Sequence, residues 1–445
     1  MRSARQHTSV GGAAHLLTVA MFSAALMCGC SSSSRPRAGV GKAVAARRTS
    51  ERRVGVHGDS ASTLAEARAT AAELAGLIVV TPGGGTGALT GEAPTMLAVL
   101  DPSSGRTIEI RFPISGVKSI DYPFVSLGSR VVILVNTQTG PYDPTIGTAY
   151  LATSSLQQSS PIGPASDVLA AVDPDRIWLV ADNATPDQRL HFVEYGTIRT
   201  VTEVSLTGGD RSPPYPLTAR RTPIAAVSGG LLTIRPDRLL SNGPGNPPGH
   251  TWAYEIWDPA TDRVVRRLDI DSYTGVASSR YVAWTARTCD SDHCPLHITD
   301  LGTGADRLVA PPAGKQWSQD WVFSADSAKL AVVAVATTAQ GENQFGLVPR
   351  TMPALVAVID TATGTVITRS TTMQATSALI WSPDGTLLFF AHDNQHLGYF
   401  NATYTTSPIR ELKVTDARSS LILAKPPHPA TSRETSATTR TSAHT

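Results

Sequence analysis

Two cysteines and two histidines crowd one short stretch of the chain, WTARTCDSDHCPLH at 284–297. Thiolate and imidazole are ordinary zinc ligands, so Cys289, His293, Cys294 and His297 could together hold a metal. Zinc sites usually spread their ligand pairs along a longer segment, whereas these four would share one tight hairpin. The rival reading is a Cys289–Cys294 disulfide that stiffens the hairpin tip. His392 and His396 form a second candidate pair, flanking Asp393-Asn394-Gln395. On a helix they would share a face and could bind metal. Phe389-Phe390 and Gly398-Tyr399 point instead to a hairpin, with the two imidazoles as an exposed cross-strand pair. Gly83-Gly84-Gly85-Thr86-Gly87 invites a phosphate-loop reading, but no Lys-Ser/Thr follows it, no helical period follows it, and Pro94 interrupts. It reads as a plain loop. The sequence holds no G-x-S-x-G elbow and no H-E-x-x-H pair. No catalytic residue, no metal site and no cofactor is therefore assigned.

The elements that would position such groups are short strands. Between Leu77 and Lys425, apolar or alternating runs such as Leu77–Val80, Val131–Val135, Leu330–Val335 and Leu387–Ala391 recur between clusters of Gly, Pro, Asp, Asn and Ser. This is an all-β pattern. Two motifs repeat within it. The first is a strand, an Asp, a few turn residues and a returning strand: LAVLDPSSGRTIEI (97–110), YEIWDPATDRVVRRL (254–268), LHITDLGTGADRLV (296–309) and LVAVIDTATGTVITR (355–369). The Asp side chain caps the turn and Gly takes the left-handed position. The second is VFSADSAKLAVVA (322–334), matched by IWSPDGTLLFFAH (380–392). Asp326 and Asp384 are 58 residues apart, and Asp300 and Asp360 are 60 apart, so two motifs recur at nearly one period. Asp101, Asp258, Asp300, Asp360, Asp326 and Asp384 are thus expected to be structural blade-turn residues, not a carboxylate constellation.

These motifs resemble the WD-repeat-like and TolB-like β-propellers of bacterial envelopes. The resemblance is clear over about 280–425 and looser over 77–280. It implies a propeller of seven four-stranded blades near 77–115, 118–163, 165–210, 217–270, 272–311, 315–371 and 373–425, with Leu77–Val80 closing the ring beside the last blade. Quinone-dependent propeller dehydrogenases share the Asp/Thr/Gly hairpins. The tryptophan that those repeats carry is missing here, with Ile108, Val265 and Ile367 nearby instead, so no quinone is expected.

The N-terminus gives an address. Arg2 and Arg5 precede an apolar run from His15 to Met27 that is shorter than the roughly 20 residues of a membrane span, which is the layout of a signal peptide. Met27-Cys28-Gly29-Cys30, followed by serines, resembles the lipobox of bacterial lipoproteins, although Met27 and Cys28 depart from its usual Leu and Ala or Ser. The resemblance implies cleavage before Cys30 and lipid on its sulfur. Rival readings are ordinary cleavage after Ser23-Ala24-Ala25 and an uncleaved anchor. In an exported protein with Cys28 removed and Cys30 lipidated, the remaining pair would meet an oxidising environment, which favours the Cys289–Cys294 disulfide over zinc.

The expected organisation is a signal peptide at 1–29, a lipidated basic tether with a short helix at 30–76, the propeller at 77–425 and a disordered tail at 426–445. Arginine dominates the 38 basic residues, and with abundant Ala, Gly and Pro this suggests an actinobacterial, high-GC source. A net charge of +2 gives no overall field for nucleic acid. The chain reads as a monomeric, lipid-anchored extracytoplasmic scaffold for another envelope protein or a cell-wall glycan. A propeller hydrolase or lyase with a central-channel site is the alternative.

Overall fold

The computed structural model describes residues 68–82, 96–111, 119–136, 147–156, 158–182, 199–218, 221–240, 249–272, 275–286, 294–336, 354–371, 377–405 and 407–426. All of them fall within the unit Asp59–Thr445. The expected signal peptide, Cys30, the tether up to 67 and the tail from 427 lie outside the described residues.

The chain forms seven antiparallel sheets of four strands each, as the repeat predicts. The first blade takes β1 (Leu77–Pro82), β2 (Met96–Asp101) and β3 (Arg106–Arg111). The second takes β4 (Ser119–Leu127), β5 (Arg130–Asn136), β6 (Gly147–Thr153) and β7 (Ser159–Ala165). The third takes β8 (Asp167–Ala170), β9 (Arg176–Asp182), β10 (Arg199–Ser205) and β11 (Tyr215–Pro216). The fourth takes β12 (Thr222–Val227), β13 (Gly230–Leu240), β14 (Gly249–Asp258) and β15 (Arg263–Leu268). The fifth takes β16 (Gly275–Ala277), β17 (Tyr281–Thr285), β18 (Leu296–Asp300) and β19 (Asp306–Val309). The sixth takes β20 (Lys315–Phe323), β21 (Lys329–Ala336), β22 (Leu355–Asp360) and β23 (Val366–Thr371). The seventh takes β24 (Ser377–Trp381), β25 (Leu387–Ala391), β26 (His396–Asn401) and β27 (Arg410–Lys413).

The last strand, β28 (Leu421–Ala424), corrects one expectation. It does not stay in the seventh blade but pairs with β1, Leu77 opposite Ala424 and Val80 opposite Leu421, as the first strand of the first blade. The ring is therefore closed inside one sheet, by main-chain hydrogen bonds, rather than by packing between two. The first strands of the blades then touch in cyclic order, β28, β4, β8, β12, β16, β20, β24 and back to β28. They form the inner ring of the propeller.

Period two explains why the middle strands are apolar without a break. Successive side chains point to opposite faces of a sheet, and here both faces are covered by neighbouring blades. Leu77 and Val79 enter the seam with the seventh blade beside Leu387, Phe389 and Tyr399. Ile78 and Val80, from the same strand, enter the seam with the second blade beside Val131, Ile133 and Val135. The same alternation builds one apolar cluster in every other seam. Each fully buried Val, Leu or Phe contributes about 1.5–3 kcal/mol. Among the described residues, the seam between the third and fourth blades has the fewest buried apolar side chains.

Residues 68–73 are helical and run into the first blade. Leu74 is buried against the seventh blade, and Arg410 donates to the Glu73 carboxylate.

Candidate functional site

Strand direction sorts the connections onto two faces. Hairpins between first and second strands, and between third and fourth strands, leave from one face, here the turn face. Connections between second and third strands leave from the other, the loop face: 83–95, 137–146, 183–198, 241–248, 286–295, 337–354 and 392–395. The short hairpins of the turn face carry the repeated aspartates.

Asp101, Asp258, Asp300 and Asp360 stand at the hairpin between third and fourth strands of their blades, and Asp326 and Asp384 at the hairpin between first and second. Each carboxylate accepts from the main chain it turns. Asp300 Oδ1 takes Gly302 N and Thr303 N, both at 2.9 Å; Asp360 Oδ1 takes Thr363 N at 2.8 Å. Asp258 Oδ1 takes Ala260 N at 3.0 Å, and Asp101 Oδ1 takes Ser103 N at 3.0 Å. Asp326 and Asp384 accept from Ala328 N at 3.0 Å and Thr386 N at 3.1 Å. Gly304 follows with φ +78°; in the fourth blade Asp262 fills the equivalent left-handed place at φ 51°. Burial pushes the Asp101 carboxyl up, but Ser103, Lys425 and Ser104 outweigh it and bring it down to about 2. At Asp300 burial is likewise outweighed, by the N–H groups of Thr303 and Gly302 and by Arg280.

On the loop face, Cys294 lies just before β18, whereas Cys289 and His293 lie outside the described residues, as do Gly83–Gly87. His297 belongs to β18, and its ring stacks on Trp284 with centroids 3.8 Å apart. Its Nδ1 is 2.7 Å from Asp306 Oδ2, Thr299 donates to Asp306 Oδ1 at 2.8 Å, and Trp284 Nε1 donates to Thr299 at 3.0 Å. The chain of bonds runs across three strands of one blade. The sequence placed His297 beside two cysteines but gave no sign of Asp306, which arrives from the next strand by register. His392 and His396 face each other across the β25–β26 turn, where His392 N donates to His396 O at 2.9 Å. His396 Nδ1 lies 2.8 Å from Asp393 Oδ2 and His392 Nδ1 lies 3.8 Å from Glu411. Among the described residues no group of three or more His, Cys, Asp or Glu is placed to hold a metal ion.

Three acidic positions, one fully buried and two partly buried, were not marked by any motif. Glu255, fully buried in β14, meets Arg235 at 2.8 Å, Arg267 at 3.4 Å and Arg221 at 3.5 Å. Arg221 also lies over the Trp257 ring, whose Nε1 donates to Asp262 at 2.9 Å. This polar knot occupies the seam that is poorest in apolar side chains. Asp320 lies in β20 on the inner ring, where burial raises its carboxyl and a bond from Ser318 only partly offsets this. Asp167, in β8 of the same ring, is also raised by burial, against Val168 N and Arg199. The one sequence signal was polar residues alternating with Trp317 and Trp321 in β20.

Comparison with known proteins yields only remote likenesses, and the fold rests on the seven sheets themselves. No protein-family model matches the chain, and no curated protein matches it. Solved structures are similar to it at low identity. TolB from Acinetobacter baumannii is 15% identical, with 74% of this chain and 79% of that chain covered at a TM-score of 0.39. An oligogalacturonate lyase in complex with manganese is 13% identical, covering 65% and 74% at 0.42. The Pyrococcus horikoshii acylaminoacyl peptidase is 9% identical, covering 64% of this chain and 44% of that one at 0.43. Such likeness concerns architecture, and one architecture hosts many chemistries.

Proposed function

We propose that the chain is an extracytoplasmic lipoprotein, held at the membrane by lipid on Cys30, whose propeller is a scaffold for binding an envelope protein or a cell-wall glycan. The observation that carries this reading is the asymmetry of the two faces. Leu77 starts β1 and Ala424 ends β28 at the same rim, where Lys425 N donates to Gly76 O at 2.7 Å and Lys425 Nζ pairs with Asp101 at 2.9 Å. That rim is the turn face. Both described ends of the propeller, Leu77 and Ala424, therefore lie beside tight hairpins on the turn face. Binding residues concentrate on connections carried by a rigid scaffold. The same reading bridges Cys289 to Cys294 at the loop face; its support is that Cys294 is disulfide-bonded.

A second reading, a propeller hydrolase or lyase with a central-channel site, is favoured by one observation, the partly buried Asp320 on the inner ring, whose carboxyl is raised by desolvation.

Two measurements test the first reading. Radiolabelled palmitate should enter the wild type and be lost in Cys30→Ala; equal labelling of both removes the lipid from the account. A photo-cross-linker at Gln395, exposed on the loop face, should capture envelope material in intact cells, and one at Ala362, exposed on the turn face, should not. Capture from Ala362 alone would reverse the assignment of faces.

A further inference from the structure

The fourth blade gathers more guanidinium than carboxylate at one point, and the surplus lies at the surface. Register puts the groups on one face of the sheet. Arg267 in β15 stands opposite Glu255 in β14, Glu255 stands opposite Thr233 in β13, and Arg235 lies two residues beyond Thr233 on the same side. Arg221, just before β12, reaches the same carboxylate. Trp257, two residues beyond Glu255, carries this face into the seam with the third blade.

Distances tie the cluster together. Glu255 Oε1 lies 2.8 Å from Arg235 Nε and 3.4 Å from Arg267 Nε, and Oε2 lies 3.5 Å from Arg221 Nε. The last contact is an ion pair without a hydrogen bond, since neither Oε2 nor Arg221 Nε has a hydrogen-bond partner. Arg221 also meets Asp262 at 3.5 Å, and Asp262 already accepts from Trp257 Nε1 and Thr218. Three guanidinium groups therefore share two carboxylates, and one positive charge is left over. Exposure shows where it sits: the side chain is 9% exposed at Arg221, 17% at Arg235 and 68% at Arg267. Glu255 is the one carboxylate among the described residues within ion-pair distance of Arg267.

What sets Arg267 apart from its strand neighbours is that it is exposed and held at once. Arg266 spends its Nη1 on Leu301 O and Gly302 O, both at 2.8 Å, in the next blade. Arg263 is exposed on the same strand but belongs to no ion pair among the described residues. Arg267 is steadied through Nε by a fully buried carboxylate, which leaves its two NH2 groups on the far edge of the planar fork. That edge matches two oxygens of a carboxylate or a phosphate. Because the side chain is already oriented, less rotamer entropy is lost when such a group docks. We propose that Arg267, backed by Glu255 and with Arg235 beside it, is a binding site for an oxyanion group, carboxylate or phosphate, on a ligand of this propeller. The site stands whether or not Cys30 carries lipid, which the palmitate experiment tests separately.

The test uses the full chain as wild type, Arg267→Ala, Arg267→Lys and Arg263→Ala. Each is titrated with acetate and with inorganic phosphate, replacing chloride at constant ionic strength, in thermal melts and calorimetry. Binding should raise the wild-type melting temperature in a concentration-dependent way. Arg267→Ala should bind about tenfold more weakly or worse, the worth of one charged hydrogen bond. Arg267→Lys, which keeps the charge and loses the fork, should also bind more weakly, and Arg263→Ala should behave as the wild type. Stronger binding of acetate assigns the site to a carboxylate, and stronger binding of phosphate to a phosphoryl group. No binding of either anion, unchanged binding in Arg267→Ala, or an equal loss in Arg263→Ala would overturn the proposal. So would an Arg267→Ala protein that, without added anion, melts as low as Glu255→Ala, since the residue would then be structural.

Discussion

Removing the Glu255 side chain should destabilise the propeller more than any other single charge deletion in the fourth blade. Glu255 is fully buried, Arg221 is 9% exposed, and the Arg235 side chain is 17% exposed, so Glu255→Ala takes the one buried carboxylate away from two guanidinium groups that water barely reaches, although Arg221 keeps Thr218 and Asp262. Breaking a buried pair by deleting one partner costs about 3–5 kcal/mol. For a domain of about 350 residues the unfolding entropy is roughly 0.7 kcal/mol per degree, so the melting temperature should fall by about 4–7 °C. Arg267 is the control. Its side chain is 68% exposed although it approaches the same Glu255 oxygen, and Arg267→Ala should cost no more than about 1 kcal/mol. Differential scanning calorimetry on both variants reads the contrast directly, and Glu255→Gln, which keeps the shape and loses the charge, should fall between them. The reasoning fails if Glu255→Ala melts within a degree of the wild type, or if Arg267→Ala loses as much. The first outcome would mean that the third and fourth blades are held by Trp257 and its apolar neighbours alone, and the second that exposure does not decide what a charge in this knot is worth.

Two further consequences concern packing. Gly398 stands opposite Phe390, and a Cβ there would lie 2.3 Å from the Phe390 ring, so Gly398→Ala should lose about 1–3 kcal/mol or more in urea unfolding; adding Phe390→Leu should recover part of the loss, and strictly additive losses would show that the ring is not the obstacle. Truncation after Ser420 removes β28, whose Ile422 and Leu423 are 1% and 0% exposed and worth about 1.5–3 kcal/mol each. The cooperative melt should broaden and fall, and an unchanged melt would show that the ring does not need its closing strand.

Much of this architecture was readable from two short motifs. The hairpin aspartates and their spacing predicted a repeated four-stranded unit, because turn chemistry is local and repeats, and the propeller resemblance of those motifs implied the seven blades that the sheets show. The position of β28 was not readable. Leu421–Ala424 is an apolar run like any other, and nothing local says which sheet it joins; a partner more than three hundred residues away in the chain decides that. Glu255 escaped for a related reason. In YEIWD it looks like the polar half of a β alternation that should face water, and only the guanidinium groups of Arg221, Arg235 and Arg267, brought in by neighbouring strands, make it a buried site. His297 and Asp306 meet across a ladder in the same way. Asp320 left a fainter trace in the polar row of β20, and the bulge there, which β4 shares, is a matter of register.

The bond between Gly76 and Lys425 has a consequence for how this chain can be rearranged. The sequence begins its first blade at the second strand and supplies the missing strand at the end, yet in space the two positions are neighbours, with Lys425 N 2.7 Å from Gly76 O. A short linker would join them without strain, and a new opening could be cut in any hairpin on the rim. The order of blades in the gene is then only one of several linear readings of a circular object.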